Sequence, residues 1–357
     1  MSQCRQTDVG AKIVPLTVLA EGQRKEGPVA VLSKQFREAL TAIEPAEDAE
    51  HAAEAHAEVR RVLDATADLK DWGLETLLIG SYRRQVSIRR VKDADVFCQL
   101  PSLPDNVGPQ DLLDRFLSTL SDKYGDRVSR NDRSVKVDFP SYDMHVDVVP
   151  ARPDGELWEI PNKGGGWETT HPLRFNKLTS ECNAAHGEQY VPTVKLLRQT
   201  RRALMGTAKP GGFFIEIAAF HAFQSIPTHG TTGSPSSTAE YYAVALEKMA
   251  PILWAHADGS APLLNPAVPE QHLHVRATAA ELKDVAAAWE CAATSARTAL
   301  DEADEHVAAQ AFHKLLGTNS EGELVFQVPS RSAAAEGAAR LRPGYASLPS
   351  GDSPTFG

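Results

Sequence analysis

Cysteine is scarce in this chain: Cys4, Cys98, Cys182 and Cys291 are scattered over 357 residues. No CxxC pair occurs and no spacing suits a zinc tetrad, which excludes a disulfide framework and leaves reduced, mostly packed thiols. Long apolar runs are missing too. None approaches the ~20 residues of a membrane helix, and the N-terminus has no basic stretch leading into an apolar one. Neither a membrane span nor a secretory signal is expected, and the chain is assigned to the cytoplasm. Positive charge is also in deficit, with 37 Lys and Arg against 47 Asp and Glu, a formal net charge of −10. Proteins that grip long RNA or DNA carry a basic face, so a long polyanionic partner is disfavoured. Small nucleotides, bound locally with the help of a metal ion, stay open. No internal repeat interrupts a composition that is otherwise ordinary for a globular protein, and the length suits two domains or one two-lobed unit.

The periodicity changes along the chain. Residues 1–28 are polar and aperiodic and read as a loose leading segment. From Ala30 to about Leu69, Phe36, Leu40 and Ile43 and then Ala55, Val59, Val62 and Leu63 recur at three to four, as helices do, with Pro45 between two of them. Strands are expected at about Glu75–Ile79, Ala94–Leu100, Ser134–Phe139 and Tyr142–Val149, with a helix at Leu112–Tyr124. Pro161–Pro172, carrying Gly164-Gly165-Gly166, reads as a loop. Beyond Phe175 the pattern is helical almost throughout: Tyr190–Met205, Phe213–Phe223, Ala239–Met249, Ala280–Ala303 and Glu305–Leu316. Strands gathered early, with helices between and after them, predict an α+β fold with a mixed sheet and a helical C-terminal lobe. The expected divisions are 1–28, a strand-rich core with N-terminal helices over 29–172, a helical lobe over 173–317, and a flexible tail over 318–357.

Chemistry concentrates in two of the predicted strands. Asp93 and Asp95 stand two apart, so both carboxylates project to one side of a strand. Two adjacent carboxylates repel unless a cation sits between them, and an all-oxygen anionic site suits Mg²⁺ or Mn²⁺ with substrate phosphates completing the shell. Asp147, in Met144-His145-Val146-Asp147-Val148-Val149, shares parity with His145 and is the candidate third ligand; Asp143 and Asp138 are the runners-up. Upstream, Gly80-Ser81 forms a turn in which glycine admits close approach and N–H groups can cradle an anion. Arg83, Arg84, Arg89, Arg90 and Lys92 cluster nearby. On the Tyr190–Met205 helix, Lys195, Arg198 and Arg202 make a basic stripe, read equally well as a phosphate contact or a solvated face. Trp158, Trp167 and His171 suit either base stacking or core packing. This set implies two-metal phosphoryl transfer, with Asp93, Asp95 and Asp147 as catalytic metal ligands for two ions.

The residues Gly80-Ser81-Tyr82-Arg83, Asp93-Ala94-Asp95 and His145-Val146-Asp147-Val148-Val149-Pro150-Ala151 resemble the polymerase-β-like nucleotidyltransferases. More narrowly, Trp167–Pro172, Tyr190-Val191-Pro192-Thr193-Val194-Lys195-Leu196 and Ala311–Gly317 are similar to segments of the bacterial cGAS/DncV-like nucleotidyltransferases. The resemblance covers about residues 30–317. It implies an enzyme of anti-phage (CBASS) operons that joins ATP, GTP or other NTPs into cyclic di- or trinucleotide second messengers read by a downstream effector. Carried over by position, it implies that Ser81 contacts the donor triphosphate and that Lys195 binds it from the helical lobe; Gly80 of the same turn and Arg83 of the basic cluster are the further nucleotide-binding candidates. Where many relatives have Ser-Phe, this chain has Gly212-Phe213, so Gly212 would offer a backbone N–H in place of a hydroxyl. The terminal Gly357 would suit conjugation by an E1/E2-like ligase, an inert end being the plainer reading. The rival readings are a nucleotidyltransferase making linear oligonucleotides or modifying tRNA, protein or a small molecule, and an inactive nucleotide-binding module.

Overall fold

Alternation along two of the strands sets the architecture: Val135, Val137, Val146 and Val148 all point into one buried cluster, leaving the intervening residues for the opposite face. The computed structural model describes residues 32–268 and 270–330; the expectations for residues 1–28 and for Gly357 lie outside them. The main sheet runs β1 (Glu75–Ile79), β2 (Asp93–Gln99), β5 (Met144–Asp154), β4 (Val135–Phe139), β3 (Val128–Arg130). β2 and β5 are parallel and the other neighbours antiparallel, so the sheet is mixed and the fold α+β. The far end of β5 pairs with a hairpin of β6 (Leu157–Pro161) and β7 (Trp167–Thr170).

Helices α1 (Ser33–Ile43), α2 (Glu47–Ala65), α3 (Ala67–Asp71), α4 (Gly80–Arg83) and α5 (Pro109–Tyr124) accompany the strands in sequence. Of these, α2 and α5 cover one sheet face. Ala52, Ala55, Val59 and Leu63 recur at three or four along α2, as do Leu112, Phe116, Leu120 and Tyr124 along α5, and they bury against Ala94, Val96 and Cys98 of β2. The opposite sheet face looks toward a helical lobe of α6 (Pro172–Ala185), α7 (Tyr190–Met205), α8 (Gly212–Phe223), α9 (Thr238–Ala257), α10 (Ala279–Leu300) and α11 (Glu305–Leu316). α8 is apolar nearly all round and sits inside this lobe.

Four expectations are corrected. The stretch 161–172 is not all loop: β6 and β7 flank a tight turn at Asn162–Gly166, where Asn162 Oδ1 accepts from the N–H groups of Gly164 and Gly166 at 2.8 and 3.0 Å. α1 belongs to the helical lobe rather than to the strand-rich core, because Phe36 packs edge-on against Phe312 and Phe326 at 4.9 and 5.1 Å. α9 continues through Pro251 to Ala257, since Leu253 and Ala257 are buried in the helical core; that packing outweighs the roughly 3 kcal/mol an interior proline costs. The flexible tail does not begin at 318. Thr318 bridges Leu324, and Val325 and Phe326 are buried, while 331–357 lie outside the described residues.

Candidate active site

Register brings the acidic residues together. β2 and β5 run side by side with Asp93 opposite His145 and Asp95 opposite Asp147. In both strands the even-numbered neighbours fill the α2–α5 core, so Asp93, Asp95 and Asp147 share the face turned toward the helical lobe. Adjacent strands lie about 4.8 Å apart, which puts the Asp95 and Asp147 backbones at that spacing. On the other side Ile79, the last residue of β1, pairs with Asp95, and Gly80 follows immediately. Gly80 has φ +78°, and a Cβ there would stand 1.9 Å from Asp95 Oδ2. Only glycine fits both the backbone conformation and the space.

Charge follows from this crowding. Burial, reinforced by Asp93 and Asp147, pushes the Asp95 carboxyl up to about 7. Asp147 goes the other way. Burial opposes its charge, but hydrogen bonds outweigh it: His145 Nε2 lies 3.4 Å from Oδ2, and Ser134 Oγ and Asn131 Nδ2 donate to Oδ1 at 3.1 and 3.2 Å. The same hydrogen bond to Asp147 raises His145. Among the described residues no three carboxylates, imidazoles or thiols are already gathered in coordination geometry, and Asp147 is turned toward its three donors. The donor chemistry nonetheless fits a hard divalent cation. The candidate ligands are all oxygen, and Asp95 is pushed toward its neutral form by burial and by two neighbouring carboxylates, whose repulsion a cation would relieve.

A cleft of about 440 Å³ opens beside this cluster, between the sheet and the helical lobe. Of the residues expected from the sequence, Gly80, Ser81, Asp93, Asp95 and Gly212 line it, and His171 does so while capping α6 through Nδ1. Asp147, beside Asp95 on the neighbouring strand, is not part of the lining. Ser81 Oγ is paired with Ser87 Oγ at 3.0 Å. Two basic candidates miss the cleft. Arg83 is exposed and borders a separate groove with Leu173 and Lys177. Lys195 is drawn to Glu44, with Nζ at 2.6 and 2.8 Å from its carboxylate oxygens. Trp158 packs edge-on to Phe97 at 6.1 Å, and Trp167 lies under the Arg152 guanidinium at 4.1 Å, so both serve packing.

The cations in the cleft are their sequence neighbours. Arg84 follows α4, its N–H bonded to Gly80 C=O at 3.2 Å, and Arg198 lies one turn beyond Lys195 on α7. Between them sits Glu216 of α8, fully buried. The residue types were visible in the sequence, in the arginine cluster and the basic stripe. Which member of each set faces the cleft depends on how α4 and α7 are rotated, and that is decided by packing. Phe213, 48 % exposed, lies at the edge of the same cleft. No helix among the described residues is long and apolar enough to cross a membrane.

The chain is similar to several known proteins. Residues 31–183 match the Second Messenger Oligonucleotide or Dinucleotide Synthetase domain. A cyclic AMP-AMP-AMP synthase from Acinetobacter sp. (strain ATCC 27244 / 9458) is 28% identical over 304 residues, covering 81% of this chain and 85% of that protein. The fold is similar to CdnC of E. coli MS115-1 in a complex with HORMA-deltaN, with TM-score 0.63 and 18% identity over 83% of this chain and 98% of that one. It is also similar to GTP-bound Vibrio cholerae DncV, with TM-score 0.55 and 13% identity over 82% of this chain and 93% of that one.

Proposed function

We propose that the chain is a cGAS/DncV-like nucleotidyltransferase that joins ATP, alone or with other NTPs, into a cyclic oligonucleotide second messenger. One observation carries the site assignment: Asp95 is in register with Asp147, Asp93 shares their face, and Gly80 is pressed against Asp95. The name of the Acinetobacter relative supports an adenine nucleotide and a cyclic trinucleotide product. Membership in that family would give it a place in anti-phage defence.

Asp93, Asp95 and Asp147 would hold Mg²⁺ or Mn²⁺, which when bound neutralises phosphate charge and acidifies the attacking hydroxyl. The chain's own residues do the rest. The Gly80-Ser81 turn lets the backbone approach the donor phosphates. Arg198 brings a cation to the cleft floor, and the first turn of α8, starting at Gly212 with no side-chain cap, offers N–H groups to an anion. Phe213 offers a face on which a base can stack. Ser134, Asn131 and His145 keep Asp147 ionised. The acceptor ribose oxygen forms a bond to the α-phosphorus, the bond to the β-phosphate bridging oxygen breaks, and pyrophosphate leaves. Repetition on the linked product closes the ring.

The HORMA complex of the E. coli relative supports a regulatory protein partner here as well. A ligase acting on Gly357 belongs to this reading and is tested by mass spectrometry of the C-terminal peptide. The main test uses purified protein with Mg²⁺ or Mn²⁺ and labelled ATP and GTP. A product that resists phosphatase is expected. A phosphatase-sensitive ladder would mean linear synthesis, and no turnover under any condition would leave a nucleotide-binding module.

A further inference from the structure

Away from the carboxylates, the most deeply buried ion network joins the two lobes across the cleft floor. Glu216, with a side chain 0% exposed, takes Arg84 in a two-pronged grip: Nε to Oε1 at 2.6 Å and Nη2 to Oε2 at 3.1 Å. The third nitrogen, Nη1, reaches Asn176 Oδ1 at 3.3 Å, and the guanidinium lies over the Phe175 ring at 4.7 Å. Every nitrogen of Arg84 is therefore engaged. Arg198 differs. Its Nη1 stands 3.7 Å from Glu216 Oε2, too far for a hydrogen bond. Its guanidinium lies across Gly212, where a Cβ would come within 3.0 Å of Nη2. Two arginines thus share one carboxylate; both line the cleft, and Arg198 is the one with unused donors.

The connection is specific in the chain as well as in space. Arg84 closes the turn that begins at Gly80, so Glu216 ties α8 to the segment pressed against Asp95. We propose that Glu216 is a positioning residue. It locks the Gly80–Arg84 turn to α8 and holds Arg198 aimed at the donor polyphosphate, so that the two lobes present the α-phosphorus to the aspartates in one geometry. The inference rests on the nucleotidyltransferase reading above. A purely stabilising role is the weaker account, because a buried ion pair replaced whole by apolar residues is often neutral or stabilising.

The test separates positioning from folding. Glu216→Gln keeps the shape and leaves two arginines uncompensated. Binding of a non-hydrolysable ATP analogue should be equal or tighter, since local positive charge rises, while kcat per folded molecule falls at least tenfold. A second variant, Arg84→Met with Glu216→Leu, removes the two-pronged pair and leaves only Arg198 without its counter-charge. It should melt above Glu216→Gln, in which both arginines are uncompensated, and still show the depressed kcat. Wild-type kcat per folded molecule in either variant would overturn the proposal, and if Glu216→Gln fails to fold the double variant decides alone. Wild-type protein that binds ATP but makes no product would instead overturn the functional reading on which the inference rests.

Discussion

At position 80 the backbone sits at φ +78°, and the space a Cβ would fill is taken by Asp95 Oδ2. Gly80→Ala therefore forces a strained conformation or displaces the carboxylate. A loss of roughly 1–3 kcal/mol and at least a tenfold fall in synthesis are expected, read by thermal melting and product formation. Asp93→Asn with Asp95→Asn should abolish synthesis and leave the circular dichroism spectrum unchanged. In the absence of metal that double variant should melt higher than wild type, because the buried charge at Asp95 and its repulsion with Asp93 and Asp147 are gone; a lower melting temperature would contradict the electrostatic account. Asp95 binds its proton more tightly folded than unfolded. Its contribution to metal-free stability is thus fully present below the ordinary value of 3.8 and is lost as pH rises through about 7. Cation binding must displace that proton, so Mg²⁺ or Mn²⁺ affinity should weaken below pH 7, with proton release measurable by calorimetry in buffers of different ionisation heat.

Among the elements, those whose apolar period is uninterrupted were legible to the residue: β1, α7 and α11 span the ranges that periodicity assigns. Elements held by partners distant in sequence were not. The β6–β7 hairpin lacks simple alternation: every residue of β7 is half-buried, and Trp167 packs against the sheet core with the Arg152 guanidinium over its ring. α1 precedes the strand-rich lobe and reads as part of it, yet its aromatic partners Tyr242, Phe312 and Phe326 all lie in the distant helical half of the chain. The segment after α11 looked like tail and instead closes over α1 and α11 with Phe326. Phe326→Ala should cost about 3–5 kcal/mol, measured by denaturant unfolding, with helical-lobe probes lost first. A variant of unchanged stability would mean the segment does not anchor that core.

On the scale of the molecule, the cleft is bounded by groups from both lobes, Asp93 and Asp95 from the sheet and Arg198 and Gly212 from the helices. A ligand that touches both stabilises the whole chain. A non-hydrolysable ATP analogue with Mg²⁺ at about 100 times its Kd should add about 2.7 kcal/mol, seen as a raised melting temperature. Arg198→Met should remove much of that gain, whereas Arg83→Met, on the exposed side of α4, should keep it. The net charge of −10 further predicts that long RNA neither competes with ATP nor binds with a steep salt dependence.

The aspartates' common face was determined by the sequence alone, because a strand's period of two is a local property of the backbone and needs no partner. The same holds for glycine at 80 and for the helical period of α7. Tertiary structure decided the rest. Pairing β2 in parallel with β5 set Asp95 beside Asp147. The rotation of α7 against α1 gave Lys195 to Glu44 and Arg198 to the cleft, and Arg84 met Glu216 across a lobe boundary. Those outcomes depend on which buried charges find partners when distant surfaces close on one another, and local periodicity carries no term for that.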